Sequence, residues 1–307
     1  MTSQLAAGID IGGTNTLIGL VSSGGKVVAR KTINTCAYRK PEEFVEVLSK
    51  TLKSLLKKNQ KLRGVGIGAP SGHVYSGSIV KAPNMPWKGT IPLAAMISRK
   101  LKTRTVLTND ANAAALGEML FGGAKKERDF IYITLGTGLG SGLVANGKLL
   151  YGGSGFAGEI GHVIIDRLGR ACGCGRRGCL ETYCSATGLV NTYKEMKNLR
   201  PDDQVSADQI FKLARKGDPS ARQTFQITGS LLGEALANAV VFTSPSVIFV
   251  GGGLARAGNL LFQPMKKAFG QNLLHIYKGK VKILPSKLPD GDAALLGAAS
   301  LILRKQA

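Results

Sequence analysis

One imidazole and three thiols fall within a short, glycine-rich stretch of this 307-residue chain. The residues are His162, Cys172, Cys174 and Cys179. Thiolates and a neutral imidazole suit a tetrahedral zinc ion, and the glycines between the cysteines allow the tight backbone that such a site needs. Four protein ligands leave no position for water, so the spacing predicts a structural Zn²⁺ site rather than a hydrolytic one. Unligated thiols beside a core histidine are the alternative, which the clustering disfavours.

The spacing H-x9-C-x-C-x4-C differs from the common zinc-finger pattern. It resembles the signature of the ROK family, named for repressors, open reading frames and kinases, whose members include bacterial glucokinases and related hexose kinases. The resemblance implies that Glu159, His162 and Glu181 bind sugar hydroxyls, with His162 also a zinc ligand. It covers nearly the whole chain and implies an α/β fold of two actin-like (ribonuclease H-like) lobes with a cleft between them.

Composition is typical of a soluble globular protein, with 44% hydrophobic residues. The N-terminus lacks the pattern of a secretory signal, and no apolar run of about 18 residues occurs, so we expect a cytoplasmic protein without a membrane partner. Two cysteines outside the cluster, Cys36 and Cys184, are expected to be free thiols.

The formal net charge of +22 raises nucleic acid as a partner. The basic residues occur as scattered pairs, such as Lys57-Lys58 and Arg176-Arg177, without a basic arm or interleaved aromatic residues. This distribution favours a solvated basic surface, and no nucleic acid partner is expected. A polyanion remains open, including inorganic polyphosphate as a phosphoryl donor.

Two glycine turns follow predicted strands. The first carries Asp10, Gly12, Gly13 and Thr14, and the second Gly136, Thr137 and Gly138. Backbone amides in such turns suit phosphate oxygens, and a carboxylate beside them suits hydrated Mg²⁺. A tight β-turn without a ligand explains the first turn alone about as well. The repetition predicts a nucleotide, ATP, between two such hairpins, and the hairpin turn at Asn146-Gly147 argues against a Rossmann unit.

A third turn, at Gly251, Gly252 and Gly253, follows an apolar strand. It resembles the adenosine-binding loop of these kinases, so Gly252 and Gly253 are predicted nucleotide contacts. A close packing point is the alternative explanation.

The segment TRTVLTND reads as a strand that ends at Asn109 and Asp110, before an alanine-rich helix. An isolated aspartate at this position favours a helix cap. The ROK resemblance instead implies that Asp110 is the catalytic base and that Asn109 contacts the sugar. It also implies that Gly72 and Asn84, in the loop after the preceding strand, border the sugar pocket.

The remaining pattern predicts helices near 41–58, 186–197, 207–216, 218–242 and 288–305, with Ser206 and Asp218 as caps. The predicted lobes are 1–118 plus 291–307, and 119–290 with the zinc loop. The resemblance suggests a homodimer or a larger homo-oligomer.

The resemblance predicts an ATP-dependent hexose kinase, most like a glucokinase that phosphorylates the 6-hydroxyl of glucose. N-acetylglucosamine, mannose or a polyphosphate donor are alternatives within the same chemistry. A sugar-responsive regulator lacking its DNA-binding domain is the alternative of another class. ROK repressors carry an N-terminal helix-turn-helix, and a first strand beginning at about Leu5 disfavours one here.

Overall fold

The computed structural model describes residues 4–289 and 292–304. The strands are β1 (Gln4–Ile11), β2 (Asn15–Ser22), β3 (Val27–Asn34), β4 (Lys61–Ala69), β5 (Gly72–His73), β6 (Ser78–Val80), β7 (Thr90–Ile91), β8 (Thr105–Asn109), β9 (Phe130–Leu135), β10 (Leu139–Ala145), β11 (Lys148–Leu149), β12 (Val247–Gly251) and β13 (Lys282–Pro285). The α-helices are α1 (Pro41–Leu55), α2 (Leu93–Leu101), α3 (Asp110–Leu120), α4 (Ala186–Met196), α5 (Ala207–Arg215), α6 (Pro219–Thr243), α7 (Asn259–Asn272) and α8 (Ala293–Leu303).

The chain forms two compact units. Unit 1 comprises Met1–Glu127, Lys148–Ala157 and Ser286–Ala307, and unit 2 comprises Arg128–Gly147 and Gly158–Pro285. The sheet of unit 1 has the order β3-β2-β1-β4-β8, in which β1, β4 and β8 are parallel. Asp10 pairs with Gly68, and Ala69 with Asn109, so the functional residues predicted on β1 and β8 lie at one edge of this sheet. Ligands of open α/β sheets bind at such carboxyl ends.

Glu118 explains why unit 1 extends past the predicted boundary at residue 118. Its side chain is fully buried and accepts hydrogen bonds from the Gly123 amide at 2.6 Å, the Ser286 hydroxyl at 2.6 Å and the Lys287 amide at 2.9 Å. These bonds attach the residues after α3, and those before α8, to the same helix. Unit 1 therefore ends its first segment at Glu127, resumes at Ser286 and also takes in Lys148–Ala157, which differs from the predicted lobe limits.

In unit 2, strands β10, β9, β12 and β13 neighbour one another in that order, with β9, β12 and β13 parallel. Helices α6 and α7 pack against each other, and their buried side chains form a core with this sheet. The predicted caps are confirmed: Asp218 accepts from the Ala221 amide, and Ser206 forms a capping box with Gln209. Helix α6 is long and apolar enough to cross a membrane by length and composition alone, but half of its most apolar window is buried within the protein.

Four helices differ from the sequence prediction by more than one residue. Helix α1 ends at Leu55 rather than Lys58, and α2 and α7 were not predicted. The last helix begins at Ala293 instead of 288, and residues 290, 291 and 305 of the predicted helix lie outside the described residues. Asp292, at its N-cap position, makes no capping hydrogen bond and instead pairs with Arg30 at 2.8 Å.

Candidate functional site

The turn between β1 and β2 is fixed by its own hydrogen bonds. The Gly12 amide donates to the Asn15 carbonyl at 2.9 Å, so this amide closes the turn. A side chain at Gly13 would collide with the Asn84 carbonyl, which places Asn84 directly against the turn. The Cys36 thiol donates to the Gly13 carbonyl at 3.0 Å from another side. The predicted phosphate turn and one predicted sugar ligand therefore lie together in unit 1.

Asp10 and Asp110 form a pair of neighbouring carboxylates. Burial, and then the negative charge of Asp110, raise the pKa of Asp10 to about 6. Asp110 reaches solvent, yet the surrounding protein removes enough hydration to raise its pKa, against the opposing effect of the Ala111 amide. Two acids that disfavour each other's charge favour a cation nearby. The pair suits hydrated Mg²⁺, whose ligands are oxygens.

Asn109, rather than Asp110, caps helix α3. Its Oδ1 accepts from the Ala111 amide at 2.8 Å and from the Asn112 amide at 3.4 Å. Asp110 is the first helical residue, and its Oδ1 also accepts from the Ala111 amide at 2.8 Å. Among the described residues, Asp110 Oδ2 has no hydrogen-bond partner. Asn109 therefore caps the helix, and one carboxylate oxygen of Asp110 is left uncommitted.

Gly72 brings the loop after β4 against the end of β8. A side chain here would collide with the Thr108 carbonyl and would lie 2.9 Å from the Asn109 nitrogen. Only a glycine permits this approach, which puts Gly72 next to Asn109. Unit 1 thus gathers Asp10, Gly12, Gly13, Thr14, Gly72, Asn84, Asn109 and Asp110.

The second glycine turn, residues 136–138, is held by the start of α4. The Gly136 amide donates to the Gly138 carbonyl at 3.0 Å. From α4, the Ala186 amide donates to the Gly136 carbonyl at 2.9 Å and the Thr187 hydroxyl to the Thr137 carbonyl at 2.9 Å. Gly252, with φ of 90°, approaches the Leu135 carbonyl so closely that a Cβ would lie 2.5 Å away. The turns at 136–138 and at Gly252-Gly253 therefore meet at one edge of the unit 2 sheet.

The four predicted zinc ligands come together. Their ligand atoms all lie within 4.8 Å of one another, with Cys174 Sγ 3.6 Å from Cys179 Sγ and Cys172 Sγ 3.7 Å from His162 Nδ1. A tetrahedral ion with zinc–sulfur bonds of about 2.3 Å separates its sulfurs by about 3.8 Å. Both the donor set and these spacings fit Zn²⁺.

The pKa values of the three thiols are split: burial raises the pKa of Cys172 and Cys179, whereas the pKa of Cys174 is lowered. Burial opposes ionisation at Cys174, but hydrogen bonds from Arg176 and the neighbouring thiols outweigh it and lower the pKa of that thiol to about 6. Burial and its hydrogen bonds to neighbouring groups raise the pKa of Cys172 to about 12. The cluster without metal therefore holds its first negative charge at Cys174, where a cation would be attracted.

Glu159 and Glu181 lie beside opposite nitrogens of the His162 imidazole. His162 Nδ1 lies 3.5 Å from Glu181 Oε1, and His162 Nε2 lies 4.0 Å from Glu159 Oε2. Glu181 Oε2 also accepts from the Leu139 amide at 3.5 Å, just after the second glycine turn. Because Nδ1 is the nitrogen on the thiol side, a metal bound there would leave the proton on Nε2 as a hydrogen-bond donor.

Sequence reasoning missed two residues that position this group. Ser141 accepts from the Ile160 amide at 3.3 Å and donates to the Gly158 carbonyl, so it holds both sides of Glu159. Arg170 donates to the Thr182 carbonyl at 2.7 Å and to Glu195 at 2.6 Å, and it lies over the Tyr183 ring. Ser141 stands inside the glycine motif, a signal that was available; Arg170 has no such signal.

Two phosphate-type turns at the ends of parallel strands, a carboxylate pair and a zinc-type loop define an α/β protein of the actin-like ATPase class. The family model described as "ROK family" matches residues 6–305, and the chain belongs to this family.

Named relatives include both kinases and regulators. The chain is 33% identical to a glucokinase of Thermotoga maritima, over 96% of this chain and 96% of that protein. A crystal structure of a ROK family glucokinase from Streptomyces griseus, in complex with glucose and AMPPNP, has a TM-score of 0.83 at 33% identity and covers 97% of this chain and 99% of that one. A xylose repressor of Caldicellulosiruptor bescii is 29% identical over 96% of this chain but only 77% of the repressor.

Proposed function

We propose that the protein is an ATP-dependent glucose kinase that phosphorylates the 6-hydroxyl, with Asp110 as the base. The observation that supports this proposal most is at the start of α3. Asn109 caps the helix, and Asp110 therefore keeps an uncommitted carboxylate oxygen beside Asp10. Similarity over almost the full length of glucokinases supports the same activity.

Phosphoryl transfer needs mainly positioning and charge stabilisation from the protein. Asp110 accepts the proton of the attacking hydroxyl as the new bond to phosphorus forms. Asp10 would hold hydrated Mg²⁺, and the ion would neutralise charge on the donor phosphates. The amides of Gly13, Thr14, Thr137 and Gly138 would bind the phosphates, and Gly252 and Gly253 would contact the adenosine; the Gly136 amide instead closes its own turn on the Gly138 carbonyl.

The sugar is bound by Asn84, Asn109, Glu159, His162 and Glu181. Asn109 Oδ1 is engaged in the cap, so this residue offers its amide nitrogen as a donor. The glutamates accept from hydroxyls, and His162 donates from Nε2. Zinc bound by His162, Cys172, Cys174 and Cys179 would fix the orientation of that imidazole.

The test is ADP release with magnesium-ATP across glucose, mannose, fructose, N-acetylglucosamine and N-acetylmannosamine. Glucose should give the highest kcat/KM. A higher value with N-acetylglucosamine or mannose would correct the substrate and keep the reaction class. If folded, zinc-loaded protein released no ADP with any of these sugars, the proposed kinase function would be rejected.

A sugar-responsive regulator is the second candidate, favoured by the similarity to xylose repressors. It predicts sugar binding without ADP release, which the same assay combined with calorimetry distinguishes.

A homodimer, a cytoplasmic location and the absence of a nucleic acid partner remain predictions. Sedimentation and localisation of the tagged protein test the first two, and a DNA- and RNA-binding assay tests the third.

A further inference from the structure

Four aromatic side chains of unit 1 join residues 73–75 to residues 151–157, and none has a role in the proposed reaction. His73 lies 5.0 Å from Phe156 and 5.8 Å from Tyr75, measured between ring centroids, and Tyr75 lies 6.3 Å from Tyr151. His73, Tyr75, Tyr151 and Phe156 are called the aromatic clasp below.

Two residues of the clasp, His73 and Tyr75, form hydrogen bonds with backbone carbonyls of residues 151–157. His73 Nε2 lies 2.8 Å from the Ser154 carbonyl, and the Tyr75 hydroxyl donates to the Gly152 carbonyl at 2.9 Å. A carbonyl only accepts, so Nε2 carries the imidazole proton. Nδ1 then accepts from Ser76, whose hydroxyl lies at 2.8 Å and whose amide lies at 3.3 Å. One neutral tautomer satisfies all of these contacts.

Residues 151–157 have little local sequence preference for a single backbone conformation. It contains Gly152, Gly153 and Gly155, which lose more backbone freedom on ordering than other residues. Its own hydrogen bonds are local: the Ala157 amide donates to the Tyr151 carbonyl at 3.0 Å, and the Gly155 amide to the Gly152 carbonyl at 3.3 Å. Contacts from His73 and Tyr75 therefore offset an entropy cost that the segment cannot offset alone.

The clasp adjoins three segments that carry proposed sugar-binding residues: those of Gly72, Glu159 and Asn109. His73 follows Gly72 directly, and residue 157 is followed by Gly158 and Glu159. The Tyr151 hydroxyl lies beside the Thr108 side chain, immediately before Asn109.

We propose that His73 and Tyr75 are positioning residues for the hexose, because they hold residues 151–157 in one conformation and so restrict the start of the segment that carries Glu159. The inference rests on the proposed glucose kinase function. Without the clasp, the segment must be ordered when sugar binds, and this cost lowers the apparent affinity. The proton acceptor Asp110 belongs to another segment, so kcat should change little while KM for glucose rises.

Four variants test the clasp. His73→Ala removes the imidazole, Tyr75→Phe removes only a hydroxyl, and His73→Gln restores an N–H donor toward Ser154. His275→Ala is the matched control, since His275 is exposed in unit 2. Amide hydrogen exchange at Gly155 and Ala157 reports the segment, and steady-state kinetics report KM and kcat. By the usual strength of a hydrogen bond, we expect KM to rise about five- to tenfold in His73→Ala and about two- to fivefold in Tyr75→Phe.

Faster exchange at Gly155 and Ala157, together with the higher KM and an unchanged kcat, supports the proposal, as does recovery of both in His73→Gln. Faster exchange with unchanged KM makes the clasp purely structural and overturns it, as does unchanged exchange. A fall in kcat equal to the rise in KM also overturns it. Wild-type protein that phosphorylates no hexose rejects the proposed function instead, and is recognised before any variant is compared.

Discussion

At the scale of single residues, Asn109 and Asp110 divide helix capping and proposed proton acceptance between them, and the sequence alone does not show which residue does which. Aspartate and asparagine both cap helices, and the chain has one of each in succession. The backbone resolves the ambiguity because Asn109 is extended, with φ of −61° and ψ of 147°, and Asp110 is already helical. A substitution at Asp110 therefore probes chemistry with little effect on the cap.

Asp110→Asn should lower kcat by roughly 10²- to 10⁴-fold, the usual contribution of a positioned base. Glucose affinity and the thermal midpoint should stay near wild type, because Asn109 still caps α3. Kinetics, calorimetry and thermal unfolding measure these effects, with the exposed Asp202→Asn as control. An active Asp110→Asn enzyme would remove the base from the mechanism, and an unfolded one would show that Asp110 is structural.

The acid pair also predicts a pH profile. The pKa of Asp10 is raised to about 6 by burial and by Asp110, and burial raises the pKa of Asp110. Both residues act as carboxylates, so kcat/KM should be maximal above these pKa values and fall as the pH decreases through about 6. An ordinary aspartate would titrate near 4. A profile of kcat/KM for magnesium-ATP that stays flat down to pH 5 would contradict this assignment, because this constant reports the enzyme before the nucleotide and its metal bind.

At element scale, the zinc loop is the part that the sequence described best. Three cysteines and a histidine converge because their spacing is local, and the structure brings all four together. The aromatic clasp and Arg170 were invisible in the sequence, since each depends on contacts between distant residues. Helices α2 and α7 were missed for another reason: α7 contains Pro264 and lacks a clean apolar period, so packing against α6 sustains it.

Removal of one zinc ligand should lower both the metal content and the affinity for glucose. Cys174→Ser should reduce the metal content from about one zinc per chain to a small fraction, because a hydroxyl is a poor replacement for a thiolate. KM for glucose should rise by about tenfold or more, since His162 and Glu181 lose their orientation. Metal analysis and kinetics measure both effects, with Cys36→Ser as the control. A zinc-free wild-type preparation with full activity would refute the structural zinc.

Glu118 sets the stability of the junction between α3 and the segment before α8. Its buried carboxylate accepts three hydrogen bonds. In Glu118→Gln the amide group replaces the oxygen that faces Ser286, so this hydroxyl must turn from donor to acceptor, and the two backbone amides keep only a neutral acceptor. The free energy of unfolding should fall by about 2–3 kcal/mol. Urea denaturation measures the change, and the exposed Glu43→Gln serves as control, with an expected loss below about 1 kcal/mol. Equal losses in the two variants would deny Glu118 this role.

At the scale of the whole molecule, the net charge of +22 is the feature that neither motif nor fold requires. Polyanions should bind this surface at low ionic strength, and binding should weaken steeply as salt displaces them. We expect inorganic polyphosphate to inhibit the ATP reaction at about 20 mM salt and to lose this effect near 0.3 M, where the screening length is several times shorter. ATP should remain the donor, because the glycine turns and Asp10 suit one nucleotide with its metal.

The measurement is glucose 6-phosphate formation with polyphosphate, with ATP, and with both, at the two salt concentrations. Inhibition confined to low salt assigns the charge to a solvated surface that attracts anions without processing them. Product formed from polyphosphate in a nucleotide-free reaction would contradict this expectation and make the basic surface part of donor recognition. Product formation abolished by Asp110→Asn with either donor would place both reactions at one base, whereas persistence with polyphosphate alone would demand a second centre.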